Sequence, residues 1–254
     1  MLPLRTATLP PATHTNTFLV GDVLVEPAPT DARERERLVR WTERIGGVSA
    51  IAITHHHPDH VGAADLAREL GVPLVAHEAN EGRMRAPIDA RLSDGERLPA
   101  GSRALRAMHT PGHAPGHLCF FEDTSRTAIV GDMVAGVGTI LVAPGEGDMV
   151  LYLASLQRLA DEPTAHALPA HGGVLATPRA LYAHYVRHRL AREEKIFRAL
   201  VTAGPSTAEA LLPTAYDDAP KAAWPFAVLS TRAHLDKLER DGRVARDGDL
   251  WRAR

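Results

Sequence analysis

Short apolar runs alternate with amphipathic stretches through the first two thirds of the chain. Phe18-Leu19-Val20, Gly21-Asp22 and Val23-Leu24-Val25 read as two strands around a tight turn. The spacing of Leu38, Trp41 and Ile45 predicts a helix over 31–45, ended by Gly46-Gly47. Residues 48–54 form a buried strand pattern that runs into a histidine-rich loop, followed by a helix over 61–70 and a strand over 72–76. This β/α alternation predicts a layered fold with helices outside. Further strands are expected over 117–121 and 127–130, and a helix over 148–160 with Met149, Leu153, Leu156 and Leu159 on one side. Leu168-Pro169-Ala170 then leads into a second His-Gly loop.

From Pro178 onward the pattern is almost wholly helical. A long helix carries Leu181, Tyr185, Leu190, Ile196, Phe197 and Leu200 and stops at Gly204-Pro205. Ser206 with Glu209 reads as a capping box opening a short helix through Leu211-Leu212. A third helix is expected over 226–240, followed by a small hairpin carrying Asp241-Gly242 and Asp247-Gly248. Three helices and a short hairpin make a winged-helix pattern. The expected domains are therefore 1–178 and 179–254.

Composition narrows the chemistry. The 254 residues hold 44% hydrophobic and 24% charged residues, which excludes a disordered or fibrous chain. Lys+Arg is 29 and Asp+Glu 31, so no global charge argument favours nucleic acid or an anionic membrane. Residues 1–17 lack the apolar core of a secretory signal, and no apolar run approaches bilayer length. A soluble cytoplasmic protein with no membrane partner is expected. There are 14 His but a single Cys, Cys119, so any bound metal must be held by imidazole and carboxylate.

The richest segment is Thr54-His55-His56-His57-Pro58-Asp59-His60, between a strand and a helix. Alternate residues of an extended stretch project to one side, so His55 and His57 can share one ion while Asp59 and His60 turn towards another. Two imidazoles leave a zinc site incomplete. Further donors stand at strand ends: His109, His113 and His117 in a turn-rich segment, Asp132 after Gly131, and His171 before Gly172-Gly173.

In this order, His55-x-His57-x-Asp59-His60, Thr110-Pro111-Gly112-His113, Gly131-Asp132 and Ala170-His171-Gly172 resemble the ligand set of the metallo-beta-lactamase superfamily. The resemblance implies an α/β fold: a four-layer αβ/βα sandwich with a dinuclear site at one edge. It implies one ion on His55, His57 and His113, a second on Asp59, His60 and His171, and Asp132 bridging them. Asn16 to Gly21, the segment from Gly147 to Leu156 and the winged-helix ending are similar to the beta-lactamase-like protein 2 group. Class B beta-lactamases commonly place a Cys ligand where this chain has Asp132, so antibiotic hydrolysis is not the first expectation.

The implied cofactors are two divalent ions, zinc by default, with iron or manganese compatible with the same donors. The implied activity is hydrolysis by a metal-bridging hydroxide, with Asp59 and Asp132 as catalytic residues and a small ester, thioester or lactone as substrate. The alternatives are a metal-dependent endoribonuclease and a nucleic-acid-binding regulator with a vestigial metal site. Hydroxyacylglutathione hydrolases share the motif but lack the winged-helix ending. His117 is expected to support the ligands without binding metal. His56 is expected to face solvent or the pocket, His109 to be structural, His77 to lie at the surface or the mouth, and His166, His184, His188 and His234 to be ordinary surface or packing residues. In the C-terminal unit, Arg232, Lys237, Arg240, Arg243 and Arg246 interleave with acids, which favours a packing or dimerisation module roofing the site over a nucleic-acid-binding one. Trp224-Pro225-Phe226 is a candidate part of that roof.

Overall fold

Strands β1 (Leu2–Arg5), β2 (His14–Val20), β3 (Val23–Val25), β4 (Ala50–Ala52), β5 (Leu74–Ala76) and β6 (Ala90–Arg91) pair in that order in one sheet of the computed structural model, which describes residues 1–254. The first three strands run antiparallel and β3 to β6 parallel. The second sheet has the order β11-β10-β9-β8-β7, formed by β7 (Arg97–Ala100), β8 (Arg103–His109), β9 (Leu118–Glu122), β10 (Thr127–Gly131) and β11 (His166–Pro169).

Period-two alternation explains the layers. In β4, Ala50 and Ala52 face the second sheet, joining Phe18, Val25, Leu105, Leu118, Phe120 and Ile129 between the sheets. Ile51 points the other way, onto Leu38 of α1 (Ala32–Arg44) and onto Leu66. Across the molecule, Met108, Cys119, Phe121 and Val130 face Tyr152, Leu156 and Leu159 of α4 (Met149–Asp161). The result is the four-layer αβ/βα sandwich. Asp148 caps α4 by accepting from the amides of Val150 and Leu151.

Three local readings change. The helix expected over 61–70 is two short pieces, α2 (Pro58–Val61) and α3 (Leu66–Leu70). Gly62 lies between them, and a Cβ there would come 2.5 Å from the Ala28 carbonyl oxygen. Strands β6 to β8 had no clear sequence signature, because β8 carries Arg103 and Arg106 among small residues. The cap of the short C-terminal helix is Thr207, whose side chain accepts from the Ala210 amide, while Ser206 donates to Gly204 O.

The C-terminal part comprises α5 (Pro178–Ala203), α6 (Ala208–Ala215), α7 (Trp224–Arg240) and the wing β12 (Val244–Asp247) and β13 (Leu250–Ala253). Its core joins Ile196, Leu200, Leu211, Leu235, Leu238 and Trp251. The first half of α5 packs elsewhere: Tyr182 belongs to the α4 core, with Leu181 and Tyr185 against it. One helix thus serves two cores. No helix is long and apolar enough to cross a membrane.

Candidate metal centre

The site stands at one edge of the sandwich, where β4, β8, β10 and β11 run out into loops. His55 follows β4 and is fully buried. His57 is two residues on, and His113 lies in the turn between β8 and β9. Their ring nitrogens converge: His55 Nε2 to His57 Nδ1 is 2.9 Å, His113 Nε2 to His55 Nε2 3.2 Å and to His57 Nδ1 3.0 Å. Burial and the neighbouring imidazoles keep these rings neutral. Burial, with His113 and His60 beside it, pushes His57 down to about 2, and His55 and His113 are also lowered, chiefly by burial.

A second group joins Asp59, His60 and His171, whose donor atoms lie within 4.8 Å of one another. Asp132 sits between the groups, with Oδ1 3.3 Å from His171 Nε2 and Oδ2 3.5 Å from His113 Nε2. Here charge outweighs burial. Burial opposes ionisation of His60, yet the Glu26, Asp59 and Asp132 carboxylates raise its pKa well above the usual value. His171 is raised by the nearby Asp132 carboxylate against the effect of burial. Asp132 is lowered well below the carboxylate range by His60 and His171, again against burial.

The far nitrogen of four of these five rings is held, His57 being the exception. His113 Nδ1 donates to Leu141 O at 2.8 Å, and His171 Nδ1 to His14 O at 3.0 Å. His60 Nδ1 donates to Glu26 Oε2 at 2.9 Å, and His55 Nδ1 lies 2.9 Å from Thr54 Oγ1. Such bonds direct the Nε2 lone pair inward. His117 works differently. Its Nε2 accepts the backbone amide of Asp132 at 3.1 Å and its Nδ1 faces Thr110 Oγ1 at 2.8 Å, so it positions the Asp132 backbone. Gly131 allows that approach: its φ is +47°, and a Cβ would come 2.6 Å from His117 Nε2.

Each of these donor groups could hold a metal ion. Buried atoms His60 Nε2 and Asp132 Oδ1 have no hydrogen-bond partner, which is costly unless an exogenous group meets them. Five imidazoles turned inward with two carboxylates form a nitrogen–oxygen donor set suited to zinc, iron or manganese.

Glu26 is the main residue that sequence reading missed. It is fully buried and follows the apolar run Val23-Leu24-Val25. A carboxylate closing such a run was the available signal, since fully buried Glu is rare unless paired. Its backbone takes φ +67°, a strained conformation costing about 1–3 kcal/mol. Its amide donates to Ala52 O and its carbonyl accepts from Thr17 Oγ1, which hold it there.

The remaining histidines sort by contact. His56 is buried rather than solvent-facing: Nδ1 donates to Asn80 Oδ1 at 3.2 Å and Nε2 lies 3.1 Å from Glu146. His109 donates to Pro115 O and stacks on His77 at 3.9 Å. His234 is buried beside Glu193.

A cavity of about 190 Å³ opens over the centre, and Asp59, Asp132, His57, His113 and His171 reach into it. Thr8, Leu9 and Ala12 form one wall, and the 137–146 segment another. No residue beyond His171 lines it, so the C-terminal unit supplies no roof to this cavity. Phe226 is exposed, and Trp224 packs on the C-terminal core. The cations of α7 and the wing are largely paired: Arg232 with Glu209, Lys237 with Glu193, Arg240 with Asp148 and Arg243 with Glu194.

Fold, ligand-rich edge and winged ending agree with one family. Residues 10–171 match the metallo-beta-lactamase superfamily, and residues 207–251 the beta-lactamase associated winged helix domain; the chain belongs to the metallo-beta-lactamase superfamily. It is 26% identical over 258 residues to a beta-lactamase-like protein 2 homolog of Drosophila melanogaster, covering 92% of this chain and 86% of that one. It is 30% identical over 193 residues to the thioesterase pkgB of Emericella nidulans, covering 73% of this chain but only 54% of that protein. A crystal structure of a metallo-beta-lactamase family protein from Thermus thermophilus superposes with a TM-score of 0.85 at 26% identity, covering all of this chain and 97% of the other.

Proposed function

We propose that this chain is a dinuclear metal-dependent hydrolase of a small ester, thioester or lactone, with the catalytic unit over 1–178 and the winged-helix unit over 179–254. One ion is assigned to His55, His57 and His113, the other to Asp59, His60 and His171, with Asp132 shared. Bound divalent ions supply Lewis acidity, which lowers the pKa of water from about 15.7 towards 7 and polarises a carbonyl oxygen.

The chain's own groups do the rest. Asp59 reaches the cavity and is placed to orient a water molecule or hold its proton. Asp132 presents one oxygen to each donor group, and His117 keeps its backbone in place. No covalent nucleophile is invoked, because Cys119 is fully buried and burial pushes its thiol up to about 12.

The observation that carries the substrate class is the cavity lining. Leu9, Ala12, Val137, Leu141 and Ala143 supply apolar wall, and no Lys or Arg lines it. Such a wall suits an uncharged acyl group and offers no cationic clamp for a phosphodiester. Resemblance to a protein named as a thioesterase supports the same reading. The test is turnover by zinc-loaded protein on thioester, lactone and single-stranded RNA panels, with Asp132→Ala as blank. Asp132-dependent thioester or lactone hydrolysis is expected. Asp132-dependent cleavage of RNA alone would replace this reading with the endoribonuclease, and equal turnover by the variant would remove the site assignment.

A further inference from the structure

Residues 132–148, between β10 and α4, form no helix or strand, yet they carry Asp132 and much of one cavity wall. An irregular segment this long needs anchors if it is to hold a fixed shape. Gly136 N donates to His171 O at 2.7 Å, and two further anchors come from α5. Tyr185 Oη accepts the Ala135 amide at 3.1 Å. Arg189 is buried at 5% exposure and donates through Nη2 to Ile140 O. Its Nη1 reaches Ser230 Oγ on α7 at 3.4 Å, and its guanidinium lies 5.4 Å from the centre of the Tyr152 ring. Tyr152 Oη in turn donates to Met133 O. Arg189 forms no ion pair with any carboxylate. A buried guanidinium without an anion depends on such acceptors, and its charge strengthens the bond to Ile140.

The next carbonyl along the chain is Leu141 O, the one that orients His113. We propose that Arg189, assisted by Tyr185, is a positioning residue for the metal centre, setting the 135–141 segment so that Leu141 directs His113 Nε2 towards His55 and His57. The helix that the two units share then acts on the metal centre through Arg189 and Tyr185, with Ser230 of α7 steadying Arg189. This rests on the assignment of His113 as a ligand.

The test is zinc affinity of the full-length chain, measured by competition with a chromophoric chelator, together with kcat and KM on the best substrate of the panel above. Arg189→Met is expected to weaken one of two zinc equivalents by about 10- to 100-fold, the range for lost supporting bonds to metal ligands, and to raise KM through the displaced wall. Arg189→Lys should recover part of the zinc affinity. Tyr185→Phe, which buries no new group, should shift both readouts in the same direction by less, and it decides the matter if Arg189→Met does not fold. Zinc affinity unchanged in the folded variants, with only stability lost, would overturn the proposal. A wild-type chain that takes up no zinc would overturn the metal-centre assignment, and this inference with it.

Discussion

Two buried clusters of titratable groups lie in this molecule, and they balance charge in opposite ways. Within the C-terminal unit, Glu193 on α5 accepts from Lys237 at 2.9 Å and faces His234 at 3.3 Å, and Lys237 also reaches Asp241. Acid and base are matched inside the protein, which holds Glu193 below its ordinary value even though burial pulls the other way. At the sheet edge, His55, His57 and His113 turn nitrogens towards one another, and His60 and Asp132 leave buried atoms without partners. In the first cluster each carboxylate meets a cation, although His234 Nε2 is itself without a partner, and the cluster stabilises a domain. In the second, several donor atoms converge on one space with no Lys or Arg among the side chains to receive them, and that convergence marks a site.

Removing the Asp132 carboxylate should have the largest effect. Asp132→Ala is expected to lower kcat/KM by more than about 100-fold, beyond the usual loss from a supporting residue, and to reduce bound metal below two equivalents. Full metal content in that variant would count against Asp132 as the shared donor. Next is Glu26→Ala, which strips His60 of its Nδ1 partner and the Thr54 amide of its acceptor. A loss of about 10- to 100-fold in metal affinity is expected, read by chelator competition.

Acidification should separate the two groups at about tenfold in affinity per pH unit for each proton displaced. His60 and His171 hold protons above the ordinary imidazole range, so a cation there must expel them and its affinity should rise with pH through that range. The neutral His55, His57 and His113 should show little dependence above pH 6.5. Zinc titrations at several pH values would show one steep and one flat equivalent; two equally steep ones would remove the distinction. Smallest in catalytic consequence is Glu193→Ala. It should cost roughly 2–3 kcal/mol in urea denaturation, below the figure for a fully buried pair because Lys237 is partly exposed. Zinc affinity per folded molecule should be unchanged, and a large drop would show that the clusters are coupled.

Much of this was legible along the chain because it is local. The turn at Gly21-Asp22, the amphipathic α1 and the winged ending follow from periodicity and turn chemistry. The grouping of His55 with His57 follows from strand alternation alone, since side chains two apart share a face whatever the rest of the protein does. The break between α2 and α3 was not legible, because there the Ala63 amide donates to the carbonyl of Pro27, a residue far away in the chain, instead of continuing the helix ladder.

Composition and order determined the class of chemistry: histidines and carboxylates placed at strand ends, with one Cys outside the pattern, leave a nitrogen–oxygen donor set. Tertiary structure alone decided how those donors are aimed. Glu26 reaches His60 from 34 residues away, His14 O orients His171 across 157 residues, and Arg189 meets Ile140 from a helix of the other unit. These are contacts between distant segments whose partners have no fixed spacing. A hydrogen bond needs an atom within about 3 Å, and only the packed sheets and helices bring those atoms there.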